Sequence, residues 1–245
     1  MTSPMPYAEV IGDPIAQSKS PIIHRFWLEA LGISADYRAT RTTRAELPDY
    51  LASRRADSAW RGCNVTMPLK LDALLLADDP SDRATAAGAA NLLVHRDGRL
   101  LAANTDVGAI RDLLAPLVTP GEQQPIVLLG NGGAARAVLL ALRLLDAGPV
   151  FLQARDMAEA TKLAVEFRTG HRPRRFDTPI DVRGLINATP LGFPRERLAS
   201  LVAPNVFVSA TARIGRGCVI YPNNFVGLNA VIGDCCFVLS GSIID

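Results

Sequence analysis

Short apolar runs alternate with amphipathic stretches over about the first 195 residues. Tyr7 to Ile11, Asp36 to Thr40 and Trp60 to Val65 read as strands. Ile22, Ile23, Phe26, Trp27, Ala30 and Leu31 recur at helical spacing, so Ile22 to Leu31 reads as a helix that stops at Gly32. Pro21 suits the first helical position and Ser20 the cap before it. A second helix is predicted over Arg44 to Arg54, and shorter ones over Lys70 to Ala77 and Asp82 to Ala87. Asn91 to His95 and Arg99 to Ala103 flank Asp97-Gly98, a two-residue hairpin signal. Asp106 to Leu117 reads as a bridging helix, followed by a Pro- and Gly-rich linker over 116–125. Ile126 to Leu129, Val150 to Gln153 and Leu185 to Ala188 read as strands, with helices over Ala134 to Asp146 and Ala158 to Arg168 between them. Strands alternating with helices predict an α/β fold of two units, with parallel sheets covered by helices on both faces.

The pattern changes from Val202. Val208, Ile214, Ile220, Val226, Ile232, Val238 and Ile244 follow one another at intervals of six. Small residues sit four positions after the first six of these, at Ala212, Cys218, Asn224, Ala230, Cys236 and Ser242. A fixed period of this kind marks a repeat architecture, and a helix cannot generate a strict six. The segment is predicted to form a short left-handed parallel β-helix, one face per repeat.

Chemistry concentrates at strand ends. Gly62-Cys63-Asn64-Val65-Thr66-Met67-Pro68-Leu69-Lys70 is a buried strand that breaks at a proline and delivers Lys70 to the mouth of a helix. Asn104-Thr105-Asp106 places a carboxylate at the end of another strand. Gly130-Asn131-Gly132-Gly133-Ala134 is a strand, glycine turn and helix start, which suits a phosphate. An acid/base pair followed by a dinucleotide turn is the plan of a hydride-transfer enzyme. His24 reads as structural, His95 and His171 as surface residues, and Met67 and Trp60 as core.

Composition narrows the classes. A net charge of +2 with no basic run argues against nucleic acid as a partner. No apolar run approaches the length needed to span a bilayer, and Met1 to Pro6 has no leader pattern. Cys63, Cys218, Cys235 and Cys236 show neither disulfide nor zinc spacing, so reduced thiols, no metal and a cytoplasmic location are expected.

The ordered set Gly12-Asp13-Pro14, Ser18-Lys19-Ser20-Pro21, Asn64 to Lys70, Gly88-Ala89-Ala90-Asn91, Asn104-Thr105-Asp106, Gly130 to Ala137 and Asn187-Ala188-Thr189-Pro190-Leu191-Gly192 resembles the shikimate dehydrogenase family. The resemblance implies NADP-dependent reduction of 3-dehydroshikimate to shikimate. It implies a substrate-binding domain over 1–107 and a Rossmann-like nucleotide domain over 108–200, with 201–245 left as the repeat segment. It implies Lys70 and Asp106 as the catalytic pair, Ser18 and Ser20 on the substrate carboxylate, and Thr66 and Asn91 on substrate oxygens. A carboxylate at a helix N-terminus and an ammonium beside a forming alkoxide agree with that chemistry. Gly130, Asn131, Gly132, Gly133 and Ala134, with Arg155, Asp156 and Thr189, are implied to hold the cofactor. Two departures bear on cofactor choice. Asn131 stands where the family has a small residue, and Ala154-Arg155-Asp156 stands where it has Asn-Arg-Thr. Arg155 suits adenine or a phosphate, whereas Asp156 repels a 2′-phosphate and suits a ribose hydroxyl, so NAD is the alternative to NADP.

The tail departs further. The family's Tyr-x-Pro segment and Gly-Met-Leu…Gln motif are not found, and Ala203 to Asp245 instead resembles the β-helix of sialic-acid O-acetyltransferase-type acyltransferases. No His follows His171, so acetyl transfer is not expected. The chain therefore reads as a dehydrogenase front, with activity impaired by the altered C-terminal segment, joined to a partial β-helix whose edges invite homo-oligomers. The alternatives are a non-catalytic nucleotide- or substrate-binding fusion and a sugar acyltransferase.

Overall fold

The structure is a computed structural model that describes residues 4–121, 123–170, 173, 184–189, 201–202, 206–215, 219–220, 225–232, 237–238 and 243–244. His171, residues 190–192 of the last motif, and Cys218, Cys235 and Cys236 lie outside the described residues or their described side chains. Two compact units are present, residues 1–189 and 190–245.

The first unit begins with β1 (Tyr7–Gly12), α1 (Ser20–Ala30), β2 (Asp36–Arg41), α2 (Leu47–Arg55), β3 (Trp60–Val65), α3 (Lys70–Leu75), β4 (Asp79–Pro80), α4 (Asp82–Ala87), β5 (Leu92–Arg96), β6 (Arg99–Ala103) and α5 (Asp106–Leu114). The strands form one sheet in the order β2-β1-β3-β5-β6-β4. The α/β expectation holds, but this sheet is mixed rather than parallel. Asp97 (φ 52°) and Gly98 (φ 73°) both turn through left-handed geometry, so β5 and β6 return antiparallel. β5 also lies antiparallel on β3, while β1 pairs parallel with β2 and β3.

One face of this sheet carries the main core of Ile11, Leu47, Trp60, Leu69, Leu93 and Leu100, all fully buried. Glu9, on the same strand as Ile11, is 1 % exposed. Its carboxylate accepts from Arg54 Nε at 2.7 Å and Tyr50 Oη at 2.6 Å, and from Thr40 Oγ1. Burial disfavours the charge, but the hydrogen bonds from Arg54, Thr40 and Tyr50 outweigh it and hold the Glu9 carboxyl below its ordinary value. Cys63 is a buried free thiol in the core cluster, its ionisation suppressed by burial.

Helix α1 differs from its sequence reading at both its start and its apolar side. Ser20 is not the cap: it is the first helical residue, and Lys19, already in helical geometry, precedes it without a side-chain cap. The Ser18 hydroxyl instead accepts from the Ser20 N–H at 3.3 Å, which draws the chain into the helix early. No residue of α1 is buried, and Ile22, Phe26 and Trp27 point outward at 53–68 % exposure. His24 faces inward, its ring stacked on Tyr37 at 4.0 Å, as its structural reading requires. Met67, expected in the core, is 39 % exposed because it lies in the turn after β3. His95, expected on the surface, is half-buried beside Trp60, with ring centroids 5.7 Å apart.

The unit continues through a 3-10 turn (Ala115–Leu117) to β7 (Ile126–Leu129), α6 (Gly133–Leu144), β8 (Val150–Gln153), α7 (Met157–Glu166) and β9 (Gly184–Asn187). These strands form a parallel sheet in the order β8-β7-β9. Its core of Leu128, Leu142, Leu152 and Leu163 also takes in Ala87 of α4 and Val107 of α5, so both sheets are packed into one body.

Among its described residues the second unit has eight two-residue strands: β10 (Leu201–Val202), β11 (Phe207–Val208), β12 (Arg213–Ile214), β13 (Val219–Ile220), β14 (Phe225–Val226), β15 (Val231–Ile232), β16 (Phe237–Val238) and β17 (Ile243–Ile244). Parallel pairing joins strands 18 residues apart, as in Phe207 with Phe225 and Arg213 with Val231, giving three separate ladders. Val226, Ala230 and Ile232 form its buried core, while Val231 points out. No helix among the described residues is long and apolar enough to cross a membrane.

The Glu9 network sets two expected outcomes. Arg54→Ala should destabilise the fold by about 3–5 kcal/mol in urea unfolding, because it strands a buried carboxylate. The folded carboxyl titrates below its unfolded counterpart, so stability is present above the unfolded value and is lost as pH falls below about 4.5. Acid unfolding of a Glu9→Gln chain should lack that component.

Candidate active site

The ends of β1 and β3 are pinched together. Thr66 N–H donates to Ile11 O at 2.9 Å, and Asp13 N–H to Met67 O at 3.0 Å. Gly12 is required there, since a Cβ would lie 2.4 Å from Thr66 Cγ2. The chain then turns through Leu69 N–H to Thr66 O (3.0 Å), and Lys70 is the first residue of α3. Its carbonyl accepts from Ala90 N–H at 2.8 Å, which ties the start of α3 to the loop between α4 and β5.

From that position Lys70 Nζ donates to Asp106 Oδ2 at 2.6 Å. Asn91 Nδ2 donates to the other oxygen, Oδ1, at 2.7 Å, and also meets Thr105 Oγ1 at 2.8 Å. Thr105 N–H donates back to Asn91 Oδ1 at 2.8 Å, which orients the amide. The Lys70 side chain is 15 % exposed and that of Asp106 29 %, so the pair is sheltered from water and its attraction exceeds that of a surface pair.

Asn104 is 2 % exposed and holds the turn before α5. Its amide donates to Ala89 O at 2.8 Å, and its carbonyl accepts from Val107 N–H at 3.2 Å, closing the start of α5. The Thr105 hydroxyl does more than stitch that turn, since it joins the Asn91–Asp106 set. Only its position beside Asp106 hints at this. Asn64, part of a motif with no role of its own, accepts from Tyr37 Oη at 2.6 Å. The structure thus unites Lys70, Asp106, Asn91 and Thr105 in one network. Thr66 lies at the adjoining strand ends, and Ser18 and Ser20 at the start of α1.

The glycine turn has the features of an anion cradle. Gly130 (φ +103°) adopts a conformation that side chains avoid, and a Cβ there would lie 3.1 Å from Ala188 O and 3.2 Å from Thr189 Cγ2. Gly132 is the cap of α6 and supplies no side-chain acceptor, so the first N–H groups of a 12-residue helix stay available. Asn131 Nδ2 donates to Asp156 O at 3.3 Å, joining the turn to the end of β8. Thr189 turns its hydroxyl to Asn187 Oδ1 at 2.7 Å. Asp156 has a role the sequence reading did not include: it caps α7, its Oδ1 accepting from Glu159 N–H at 3.0 Å. Arg155 is exposed and makes no ion pair among the described residues. Among the described residues no cluster of His, Cys, Asp or Glu could hold a metal ion.

The family described as "Shikimate dehydrogenase substrate binding domain" matches residues 10–93. A shikimate dehydrogenase (NADP(+)) of Sphingopyxis alaskensis is 47% identical over 189 residues, covering 76% of this chain and 68% of that protein. The chain belongs to the shikimate dehydrogenase family. Solved members of the family agree in fold. The shikimate dehydrogenase of Aquifex aeolicus superposes with a TM-score of 0.68 at 31% identity, covering 78% of this chain and 71% of that one. The enzyme of Thermus thermophilus, solved in complex with NADP(H) and shikimate, gives a TM-score of 0.63 at 37% identity, covering 76% and 69%. The matched family segment carries Ser18, Ser20, Thr66, Lys70 and Asn91; Asp106 comes from beyond it, through α5.

Removing the α7 cap should be measurable. Asp156→Ala is expected to cost about 1 kcal/mol in urea unfolding, whereas Asp156→Ser should restore most of it.

Proposed function

We propose that the chain catalyses the NADP-dependent interconversion of 3-dehydroshikimate and shikimate. The observation that carries this reading is the sheltered Lys70–Asp106 pair, 2.6 Å apart, in a family whose relatives are named for that activity.

When bound, the dinucleotide supplies or accepts the hydride. The bare turn at Gly130 and the open start of α6 fit its phosphates, and Arg155 and Thr189 stand at the flanking strand ends. In the reducing direction the substrate carbonyl oxygen gains charge as the carbon is reduced. The Lys70 ammonium gives that oxygen its proton and stabilises the developing charge. In the oxidising direction the Lys70 amine takes the hydroxyl proton back. Asp106, held by both Lys70 and Asn91, keeps the ammonium aimed and accepts from a substrate hydroxyl. Ser18 and Ser20, at the start of α1, take the substrate carboxylate, and Thr66 and Asn91 take its ring oxygens. These contacts place the reacting oxygen near Lys70.

In this reading residues 1–107 hold the substrate and 108–200 the nucleotide. The repeat segment over 201–245 is a left-handed parallel β-helix of the kind found in hexapeptide acyltransferases. Its three ladders at an 18-residue offset support three six-residue faces per coil. Self-association through the edges of that coil belongs to the same proposal.

The test follows NADPH absorbance with shikimate as substrate. Lys70→Ala should lower kcat by about 10²–10⁴-fold while KM for shikimate changes little. Turnover equal to that of the parent chain removes Lys70 from the mechanism. Asp156→Thr keeps a capping oxygen and removes a charge beside the expected 2′-phosphate. It should raise the ratio of NADP to NAD affinity, measured by fluorescence titration.

A further inference from the structure

The first residue of α6 touches the stem of Lys70. A Cβ built on Gly133 would lie 2.9 Å from Lys70 Cβ, 3.0 Å from Cδ and 3.4 Å from Cγ. Separations this short mean that the bare backbone of Gly133 already packs along the lysine's methylene chain. Neither partner can withdraw easily. The start of α3 is anchored by Ala90 N–H on Lys70 O and by the fully buried Leu69. Helix α6 is anchored by Ala135, Ala137 and Leu139 in a core shared with Ala87 and Val107. Its Arg136 also reaches over Gly88 to pair with Glu166 at 2.6 Å.

Such a contact limits where the ammonium can go. A free lysine side chain samples many rotamers, and ordering one costs up to about 2 kcal/mol of entropy. Here the backbone of Gly133 lies along one side of the stem, and Asp106 holds its tip. We propose that Gly133 is a positioning residue for Lys70: the side-chain-free start of the helix that receives the dinucleotide is also the wall that aims the proton donor. This goes beyond the usual reading of such a glycine, which gives it only to the cofactor. It rests on the reading of Lys70 as proton donor.

The test compares four full-length chains: parent, Gly133→Ala, Lys70→Gly and the double variant. Lys70→Gly removes Cβ, Cγ and Cδ together, so it removes everything the new methyl would strike. Gly133→Ala should lower Tm by several degrees in the parent and leave it unchanged within about 1 °C in the Lys70→Gly background. With Lys70 present it should also lower kcat, measured at saturating NADP and shikimate, by about 10–100-fold. Equal Tm losses in both backgrounds overturn the proposal, as does a kcat at saturating NADP equal to the parent's. If Gly133→Ala fails to fold, folding of the double variant supports the contact and failure of both overturns it. The catalytic reading is judged separately: Lys70→Gly turning over like the parent overturns that reading, whatever the Tm cycle shows.

Discussion

A lysine ammonium and an aspartate carboxylate held 2.6 Å apart, mostly out of water, set the terms for the surrounding structure. Each of the two Asp106 oxygens has a donor, from Lys70 on one side and Asn91 on the other. Those three residues come from three different connections, after β3, before β5 and after β6. Their convergence depends on the order of the strands. β5 lies between β3 and β6, and the tight hairpin at Asp97-Gly98 fixes the register that carries Asn91 and Asp106 to the same end. The buried amide of Asn104 then locks the last of these turns. A sheltered pair of opposite charges tolerates little error in such a frame, because a displaced partner leaves the other charge uncompensated.

The same sheet holds a second charge pair that serves the frame rather than the site. Glu9 is buried and pairs with Arg54, with Tyr50 and Thr40 completing the carboxylate's hydrogen bonds. This pair lies within the body of the sheet rather than at the strand ends. It ties α2 and β2 to β1, the strand that ends at the Gly12 pinch beside Thr66. The two charge pairs are thus linked through one strand, one within the sheet and the other beyond its strand ends.

The half of the first unit built on β7, β8 and β9 obeys a backbone constraint rather than a charge constraint. Close approach requires glycine at two places: Gly130 against Ala188 and Thr189, and Gly133 against Lys70. Gly130 leaves β7 against the residues that follow β9, and Gly133 opens α6 against the first residue of α3. The repeat unit depends on yet another regularity, in which two-residue strands find partners a full 18 residues on and bury Val226, Ala230 and Ile232 between them.

Local geometry was legible in the chain. Apolar spacing marked most strands and helices to within a few residues, Asp97-Gly98 marked the hairpin, and the period of six marked the two-residue strands of the tail. The ordered motifs set Lys70, Asp106 and the glycine turn apart, and the structure brings the first two together. Other features were decided by tertiary structure. Periodicity showed that α1 has an apolar side but not that this side faces outward; Met67 and His95 exchanged their expected burial; and Glu9 in a strand sequence gave no sign of its buried partners. The contact of Gly133 with Lys70 joins residues far apart along the chain. Side-chain spacing reports neighbours within one element, whereas burial, pairing and close approach between elements depend on how whole elements pack, and only the folded body contains that information.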